Sequence, residues 1–517
     1  MNYENYKITN FGEIMRIILY CFLLISINNI LAAKVLNVGA DSTYSTLSEA
    51  ALVAQPGDTI MVNDVVEEGT QWISELKGNQ DNWIYILATD QQDIVYSGNV
   101  EAWHLSDCAY IYIKGFKFEG QSGNGVNIDD AGTFDTPSHN INIENCEWRI
   151  MNASGNNDQL KMSGVDDFII RNCNFSKGSE GGSMVDLVGC HNGLFDFNFF
   201  NDAGANAIQA KGGSKDIWIE RNLFTDAGER AVNIGGSTDS AYFRPQGINY
   251  EASNIYVHSN VFVGSTAPIA FVGTVNSEVV NNTIVNPGKW AIRILQENTD
   301  GMLQCSNNIF KNNIVYIQDY AAYPTLNIGP NTLPETFEFS NNLWYNWQDM
   351  NWTGPNLPVT ETDGILGKDP LFKDYAHYGY ELQPGSPAIG KGKGPVAWKD
   401  RHFNDYKNPP SIGAYEDTSA TNVDEFSNNI FDLSINPNPS YNSFRITFNL
   451  IYDENVKISL YNIQGEQVIE LCNKNFKTGE NVIESGTSQL DILSNGIYYI
   501  KFNFGKCVRI EKVILLR

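Results

Sequence analysis

A polar residue followed two positions later by a bulky apolar residue recurs through the middle of the chain, in phrases such as NCEW, ERNLF, NNTI and NNLW. The polar members of these pairs are Cys146, Cys173, Asn198, Asn222, Asn260, Asn282, Asn308 and Asn342. A recurrence of about 24 residues, with longer steps that correspond to insertions, is typical of a solenoid. Because an asparagine can hydrogen-bond its equivalent above and below, the pattern predicts an asparagine column at one corner of stacked coils. Cys146 and Cys173 would then be neighbours, either as thiols or as a disulfide.

The segment from Trp83 to Phe339 has the alternation and composition of β-strands. Stretches such as YIYIKGFKF and IWIERNLF alternate apolar and polar residues, and glycine, asparagine and aspartate separate them. Helical periodicity is absent from this segment, which argues against helical repeat arrays. The sequence therefore predicts an all-β chain built as a parallel β-helix. A short amphipathic helix over Leu47 to Ala54 resembles the N-terminal cap of right-handed β-helix proteins, and this resemblance implies that it covers the open edge of the first coil.

Residues 1–33 have the features of a secretory signal peptide, with a basic residue, an apolar run and a small-residue end at Ala32 and Ala33. A single anchoring helix is the alternative. No later apolar stretch is long enough to cross a bilayer. We therefore predict a secreted chain with no transmembrane segment in its mature form.

The formal net charge of −26 argues against nucleic acid as a partner, because a phosphate backbone requires a basic surface. The same charge constrains a polysaccharide partner. An acidic polymer would be repelled by the chain as a whole, so its binding site must be locally basic or must hold a divalent cation.

The C-terminal part of the sequence divides into a closing segment, a linker and a small domain. Residues 381–416 resemble the closing segment of secreted Bacteroidetes β-helix proteins, and the polar residues 417–433 are interpreted as a linker. Residues 434–517 contain the opening NPNP, the turn YNIQG and the strand SNGIYYIKF, and they resemble the type IX secretion C-terminal sorting domain. This resemblance implies a small β-sandwich, the type IX machinery as a partner and a secreted or outer-surface location. A generic β-sandwich used in binding is the alternative.

Alignment of the coils on the corner column places one strand of each coil in register, as LKM, VDL, IQAK, VNI, IAF and IRI. Since strand side chains alternate between faces, the apolar members point inward. The residues expected to point outward are Lys161, Asp186, Gln209 with Lys211, Asn233, Ala270 and Arg293, with His104, Asn127 and Asp129 upstream. Such a row is either an ordinary solvated face or the floor of a groove for a linear polymer. Two long connections, 177–184 and 237–254, are candidate walls of that groove.

The architecture of residues 34–416 resembles the right-handed parallel β-helix polysaccharide lyases, namely pectate lyases and the group of chondroitinase B and alginate lyases. In those enzymes a base removes the C5 proton of a uronate while calcium or an arginine neutralises the carboxylate. The resemblance therefore implies an all-β, right-handed parallel β-helix that cleaves a uronate polymer by β-elimination. We expect it to act as a monomer.

The outward residues suggest roles in such a reaction. A lysine acts as a base only as the neutral amine, a form that neighbouring positive groups favour. Lys211 is the preferred base, with Arg230 one coil away and Arg244 expected nearby, and Lys161 is second because Asp186 should hold it as an ion pair. The residues expected to bind substrate are Arg244, Arg293, Gln209, Asn233 and Tyr242, and a guanidinium group suits carboxylate or sulfate.

Three alternatives accompany this assignment. Calcium would need hard oxygen ligands, for which Asp186 and Glu180, with Asp158 and Asp129, are the candidates. A glycoside hydrolase would need a carboxylate pair, which Asp129, Asp186 and Glu251 could supply. A non-catalytic glycan-binding protein would use aromatic residues such as Trp344, Trp347 and Trp352, whose other expected role is core packing.

Overall fold

The computed structural model describes residues 33–65, 69–318, 325–394, 396–418, 430–438, 440, 443–450, 453–462, 467–485, 490, 493, 496–504 and 507–515. Residues 1–32, which carry almost all of the predicted signal peptide, lie outside the described residues, as does most of the predicted linker. The chain divides into two compact units, Met1–Asp417 and Thr418–Arg517. Within the described residues, no helix is long and apolar enough to span a membrane.

The first unit is a parallel β-helix with three long sheets. Sheet 1 has ten strands: Gln71–Ser74, Trp103–Ser106, Val126–Asp129, Leu160–Ser163, Ser183–Val188, Asn206–Lys211, Arg230–Gly235, Ala267–Val272, Ile292–Leu295 and Leu326–Ile328. Each strand pairs in parallel with the equivalent strand of the next coil, so most coils contribute one strand to each sheet, as expected of a solenoid.

Sheets 2 and 3 complete the coils. Sheet 2 comprises Val35–Val38, Thr59–Val62, Ile84–Ala88, Ala109–Lys114, Ser138–Glu144, Val165–Arg171, His191–Asp196, Ser214–Glu220, Ala252–His258, Thr274–Val275, Glu278–Val280, Ile309–Lys311 and Glu338–Ser340. Sheet 3 comprises Ile94–Ser97, Phe116–Glu119, Glu147–Arg149, Asn174–Ser176, Phe199–Ala203, Leu223–Ala227, Val261–Val263, Thr283–Val285, Ile314–Ile317, Leu343–Asn346 and Ile365–Leu366. Three short 3-10 helices, Ser240–Tyr242, Pro334–Thr336 and Tyr375–His377, and a hairpin of Phe372–Asp374 with Gly379–Leu382 lie outside the sheets.

The predicted N-terminal cap is a helix over Leu47–Ala51, three residues shorter than expected. A capping box closes its start, because the Thr46 side chain accepts from the Glu49 amide while Glu49 accepts from the backbone of Thr46. Leu47 and Ala50 are fully buried in the solenoid core. The helix therefore adds apolar cover at the end of the first coils.

The corner between sheets 2 and 3 is made by two residues. The first has a left-handed backbone, with φ near +55° at Asn281 (57°), Asn312 (54°) and Asn341 (54°), a conformation that asparagine tolerates better than most residues. The second turns its amide inward and bonds the next coil. This is the physical reason for the repeated NN pair that precedes a strand of sheet 3.

The inward asparagines form the predicted column. Asn198 donates to Asn222, Asn222 to Asn260, and Asn260 to Asn282, at 3.0 to 3.1 Å. The next member is Asn313, and Asn342 follows. The prediction of Asn308 at this position is therefore wrong: Asn308 bonds the Ser277 amide at the corner that precedes sheet 2.

The apolar members of the repeated phrase stack above one another in the core. Trp148, Phe175, Phe200, Phe224 and Phe262 are fully buried, and neighbouring rings lie 4.6 to 4.9 Å apart with nearly parallel planes. Cys146 and Cys173 are also buried beside the column, and both are free thiols. Of the two predicted alternatives, stacked thiols are present.

The closing segment packs along the outer side of the same corner. Asn281 donates to the carbonyls of Ser411 and Gly413, and Asn312 donates to the carbonyl of Lys393. The left-handed asparagines thus hold this segment, while their inward neighbours hold the coils together.

The second unit contains two antiparallel sheets. One consists of Ile430–Asn436, Arg445–Leu450 and Gly479–Glu484, and the other of Glu454–Tyr461, Gln467–Phe476, Gly496–Phe504 and Cys507–Leu515. Phe448 from the first sheet and Ile458 and Ile500 from the second are buried in one apolar core. This arrangement is the predicted small β-sandwich.

Candidate functional site

Sheet 1 carries a continuous row of side chains on its outer face. The strand register aligns Trp72, His104, Asn127, Lys161, Asp186, Gln209, Asn233, Ala270, Arg293 and Asn327. We call these ten residues the polar row. The sequence alignment of the coils is therefore confirmed from His104 to Arg293. With a strand spacing of about 4.8 Å, the row is about 43 Å long.

Four charged side chains meet at the centre of the polar row. Lys161 forms the predicted ion pair with Asp186, and its ammonium group also lies 3.7 Å from Asp158. Lys211 Nζ lies 3.3 Å from Asp186 Oδ1 and donates to Gln209 Oε1. The two carboxylates are almost fully buried, whereas the side chains of Lys161 and Lys211 remain 21% and 13% exposed. The accessible groups are therefore two ammonium groups held over buried acids.

Burial and mutual charge shift the protonation of this central cluster. Burial, and then the charge of Asp186, raise the pKa of Asp158 to about 6, although Lys161 opposes the shift. Burial alone would lower the pKa of Lys161, but the charges of Asp186 and Asp158 outweigh it and raise the pKa above its ordinary value. Lys161 is thus held as an ammonium group, which suits it to neutralise an anion rather than to accept a proton.

The surroundings of Lys211 differ from the expected ones. Arg244 is directed to Asp166, and Arg230 is directed to Glu297, so neither guanidinium group takes part in the contacts of the Lys211 ammonium group. The charged group that does contact Lys211 is an anion. Among the described residues, the expected positive groups therefore make no direct contact with the Lys211 ammonium group, although the backbone amide of Arg244 bonds the Gly212 carbonyl next to Lys211.

At the N-terminal end of the row, His104 is held between two carboxylates. Its ring nitrogens lie 2.9 Å from Glu101 Oε2 and 2.8 Å from Asp129 Oδ2. The hydrogen bonds to Asp129 and then to Glu101 raise the pKa of His104 to about 9. One ring face stacks on Trp72, with the centroids 4.6 Å apart, and Trp72 is 60% exposed. This end therefore presents an imidazolium group and an open indole.

At the C-terminal end, two arginines approach each other. Arg230 donates to Asn233 Oδ1 at 3.3 Å and pairs with Glu297 at 2.7 Å. Arg293 donates to Asn327 at 3.0 Å. Burial lowers the pKa of Arg293, and the charge of Arg230 adds to this effect. The structure thus brings together three residues that the sequence assigned to binding or catalysis, Arg230, Asn233 and Arg293.

The insertion at 237–254 is fastened by Glu251. This side chain is fully buried and accepts from the Gly212 amide at 3.0 Å and from the Thr238 amide and hydroxyl at 2.9 and 2.7 Å. The backbone amide of Arg244 donates to the Gly212 carbonyl at 3.0 Å. The insertion therefore runs along the edge at which sheet 1 strands end, consistent with the wall predicted for this connection.

The Arg244 side chain is buried and bonded within the protein rather than open to a ligand. Its guanidinium group makes two hydrogen bonds to Asp166, at 2.7 and 2.6 Å, and a third to the Gly189 carbonyl at 2.8 Å. Burial would raise the pKa of Asp166, but hydrogen bonds from Arg244 and His191 hold it at about 2. Tyr242, on the same insertion, is 64% exposed. Of these two predicted binding residues, only Tyr242 is presented to solvent.

The residues predicted to bind calcium do not fit a cation site. Asp186 is shared by two ammonium groups, and Asp129 accepts from Ser106 while it pairs with His104. Glu180 is exposed on the loop 177–184. Across the part of the chain that the structure describes, no three His, Cys, Asp or Glu side chains are grouped so as to hold a metal ion. We derive no step through calcium.

The residues named for a glycoside hydrolase and for a glycan-binding protein also mostly have partners within the protein. Glu251 is a buried anchor, and Asp186 and Asp129 each contact a cation. Trp344 is buried in the core, where its indole donates to Glu361 at 2.7 Å. Trp347 is 39% exposed and donates to Asn286. Each carboxylate named for a hydrolase is thus engaged by a cation or by backbone amides, and the tryptophan region supplies packing at Trp344.

Two segments of the chain match models of protein families. Residues 99–284 match the model described as right handed beta helix region, and residues 434–516 match that of the secretion system C-terminal sorting domain. The predicted right-handed parallel β-helix is therefore confirmed, and so is the sorting domain. The sorting domain indicates export through the type IX secretion system.

Solved structures that resemble the chain include pectate lyase Pel9A, at 14% identity over 75% of this chain and 97% of that one, with a TM-score of 0.42. The alginate lyase from Paenibacillus sp. str. FPU-7 is 18% identical over 64% of this chain and 99% of its own, with a TM-score of 0.38. The PL6 family alginate lyase AlyGC is 14% identical over 74% and 58%, with a TM-score of 0.39. No curated protein sequence matches the chain.

Proposed function

We propose that this exported right-handed β-helix protein binds an acidic polysaccharide along the polar row and cleaves it by β-elimination at the central cluster. The observation that carries the proposal is the pair of ammonium groups, Lys161 and Lys211, that share the buried carboxylate of Asp186 on one face. The buried carboxylates of Asp158 and Asp186 balance the two lysines, but the charges that remain accessible are the positive ones, which suit a uronate carboxylate.

The two lysines are given different roles by their surroundings. Lys161 lies between Asp158 and Asp186 and stays an ammonium group, so it would screen the substrate carboxylate and make the adjacent C5 proton more acidic. Lys211 contacts one carboxylate rather than two, and we assign it the role of base, which it would perform in the fraction of molecules whose Lys211 amine is neutral. Arg230, farther along the face, would bind the next anionic group rather than take the proton.

The step balances without a cofactor. Lys211 takes the C5 proton, the electron pair forms the C4–C5 double bond, and the glycosidic bond from C4 to oxygen breaks. The leaving oxygen then takes a proton from the protonated Lys211 or from water. The products are an unsaturated uronate end and a new hydroxyl end.

A panel of uronate polymers, with neutral polymers beside them, tests this function directly. We expect ultraviolet absorbance from the new double bond with at least one uronate polymer and with none of the neutral ones. New reducing ends without this absorbance would contradict elimination and favour a hydrolase. Retardation in a glycan gel with no product of either kind would contradict catalysis and favour a binding protein at the cell surface.

The location is part of the same proposal. We infer that the mature protein stays attached to the outer surface through the C-terminal domain, where it would meet polymers too large to enter the cell. Fractionation of cells into surface, periplasm and medium checks this. Recovery of the full-length chain mainly in the periplasm would contradict it.

A further inference from the structure

Two cations lie beside one tryptophan at the C-terminal end of the polar row, and a third is near them. Lys289 Nζ lies 4.1 Å from the centre of the Trp290 ring, and Arg293 Cζ lies 4.7 Å from it. Arg230 is close enough for its charge to act on Arg293. The only carboxylate in contact with Arg230 in the described part of the chain is Glu297. Three cations therefore lie here with two carboxylates, Glu297 and Glu229, whose charges both act on Arg293, in a chain that is strongly negative as a whole.

Glu297 crosses two coils to reach Arg230. Arg230 begins its strand opposite Ala267, while Glu297 follows the strand Ile292–Leu295 of the coil after that. The Arg230–Glu297 distance is 2.7 Å, and the two side chains are 15% and 34% exposed. A partly exposed pair of this kind contributes roughly 0–1 kcal/mol. A ligand anion can therefore displace the Glu297 carboxylate at small cost.

An unpaired donor lies beside this ion pair. Asn233 is 1% exposed, its Oδ1 accepts from Arg230, and its Nδ2 has no hydrogen-bond partner among the described residues. The next residue of the polar row is Ala270, whose side chain is too short to reach it. A buried amide without a partner costs about 1–3 kcal/mol, and an acceptor oxygen of a ligand would remove that cost.

We infer that Arg230, Arg293 and Lys289 form a subsite for an anionic substituent of a saccharide, either a carboxylate or a sulfate ester, and that Glu297 occupies this subsite in the free protein. The inference rests on the proposed function only in placing a polysaccharide on this face. When the ligand binds, Glu297 leaves Arg230, the ligand anion takes its place between the two guanidinium groups, and a ligand oxygen accepts from Asn233. Trp290 supplies an apolar surface beside them for a sugar ring.

The test is the affinity of the full-length chain with Glu297→Gln for short anionic oligosaccharides. Removing the internal competitor should tighten the binding of a galacturonate oligomer about two- to fivefold. Sulfated dextran of similar length separates the two anion sources: a gain with both ligands indicates a general anion subsite, and a gain with one indicates that anion. Equal or weaker binding of both anions by Glu297→Gln would overturn the inference, because Glu297 would then only position Arg230.

Two controls make the result specific. Glu338→Gln removes one negative charge from a partly exposed pair with Lys311 on sheet 2, away from the polar row, and should change the affinity less than twofold. In a chain that already carries Arg230→Gln, the Glu297→Gln change should give no gain. A gain with neutral dextran, or one that persists without Arg230, would also overturn the inference.

The outcome is independent of the elimination reaction. Equilibrium binding needs no turnover, and unsaturated product is followed in the same samples. Tighter binding without product would support the subsite and contradict the proposed elimination. Product without tighter binding would support the elimination and contradict the subsite.

Discussion

Two polar columns follow the axis of the same solenoid, and they differ in almost every physical respect. The corner column repeats asparagine in coil after coil, fully buried, with every amide bonded to the coils on both sides. The polar row of sheet 1 changes residue at nearly every coil, and Lys161 at its centre remains partly exposed. One column is uniform and closed to solvent, and the other is varied and open.

The difference follows from the chemistry of the side chains. A carboxamide both donates and accepts, so identical asparagines stacked at about 4.8 Å satisfy each other. Like charges at that spacing would repel, so a charged column must alternate, as Lys161, Asp186 and Gln209 do. Uniform repetition therefore marks the residues that hold the coils together, and variation at a fixed register marks the face available for chemistry.

Asn222→Ala should break the uniform column and have the largest effect on stability. Asn222 accepts from the backbone and side-chain amides of Asn198 and donates to Phe195 and Asn260. Loss of these bonds in a buried site should cost about 3–5 kcal/mol. Urea unfolding of the solenoid measures this cost. Asn127→Ala, in the polar row, is the matched control and should cost less than about 1 kcal/mol; equal costs would contradict the distinction between the columns.

Lys161→Met should have the next largest effect, because it leaves Asp158 and Asp186 buried without their shared cation. We expect a loss of about 2–4 kcal/mol at neutral pH. The pKa of Asp158 is about 6 with Lys161 present and is raised further without it, so the variant regains stability relative to the native chain as the pH falls toward about 6. Thermal unfolding from pH 8 to pH 5 measures this. A deficit that stayed constant over that range would show that lost packing, rather than charge, is the cause.

Arg244→Met should lower stability and leave ligand affinity unchanged, as a substitution in the asparagine column would. Loss of its pair with Asp166 should cost about 1–3 kcal/mol. Because the pKa of Asp166 is depressed to about 2, this contribution is present above the unfolded pKa near 4 and is lost as the pH falls through about 2. Limited proteolysis of the insertion 237–254 reports the loss. Weaker polysaccharide binding at unchanged stability would instead place Arg244 in the binding face.

His104→Gln should have the smallest effect on stability, about 1 kcal/mol after allowance for partial exposure. The pKa of His104 is raised from 6.5 to about 9, so its contribution is fully present below the unfolded pKa and is lost as the pH rises through about 9. Thermal unfolding between pH 6 and pH 10 should show this slope in the native chain and not in the variant. Equal slopes in both proteins would show that the His104 imidazolium group does not cause the pH dependence of stability.

The sequence was sufficient to align the coils and to predict which residues of sheet 1 point outward, because apolar residues alternate along its strands. That alignment placed Lys161 beside Asp186 correctly. It failed at Asn308, since an NN pair followed by a bulky apolar residue occurs at two different corners, and the pattern does not say which corner is meant. Asn313, in the similar phrase NNIV, is the true member of the column.

The missed parts of the site depend on contacts between distant positions. Arg244 reaches Asp166 across 78 positions, and Arg230 reaches Glu297 across 67. The path of an insertion over the surface sets such contacts, and no local periodicity encodes it. Trp290 had a local signal, because it stands two residues before the strand Ile292–Leu295 and beside Lys289, so it could have been placed at the edge of the same face.

The most direct measurement is the rate of unsaturated product formation by Lys211→Ala, on the polymer that the native chain cleaves, with the melting temperature taken from the same preparation. We expect the rate to fall by about 10²- to 10⁴-fold, the usual contribution of a general base, with the melting temperature within a few degrees of the native value. A rate within about twofold of the native chain, at the same melting temperature, would contradict the assignment of chemistry to the centre of the polar row.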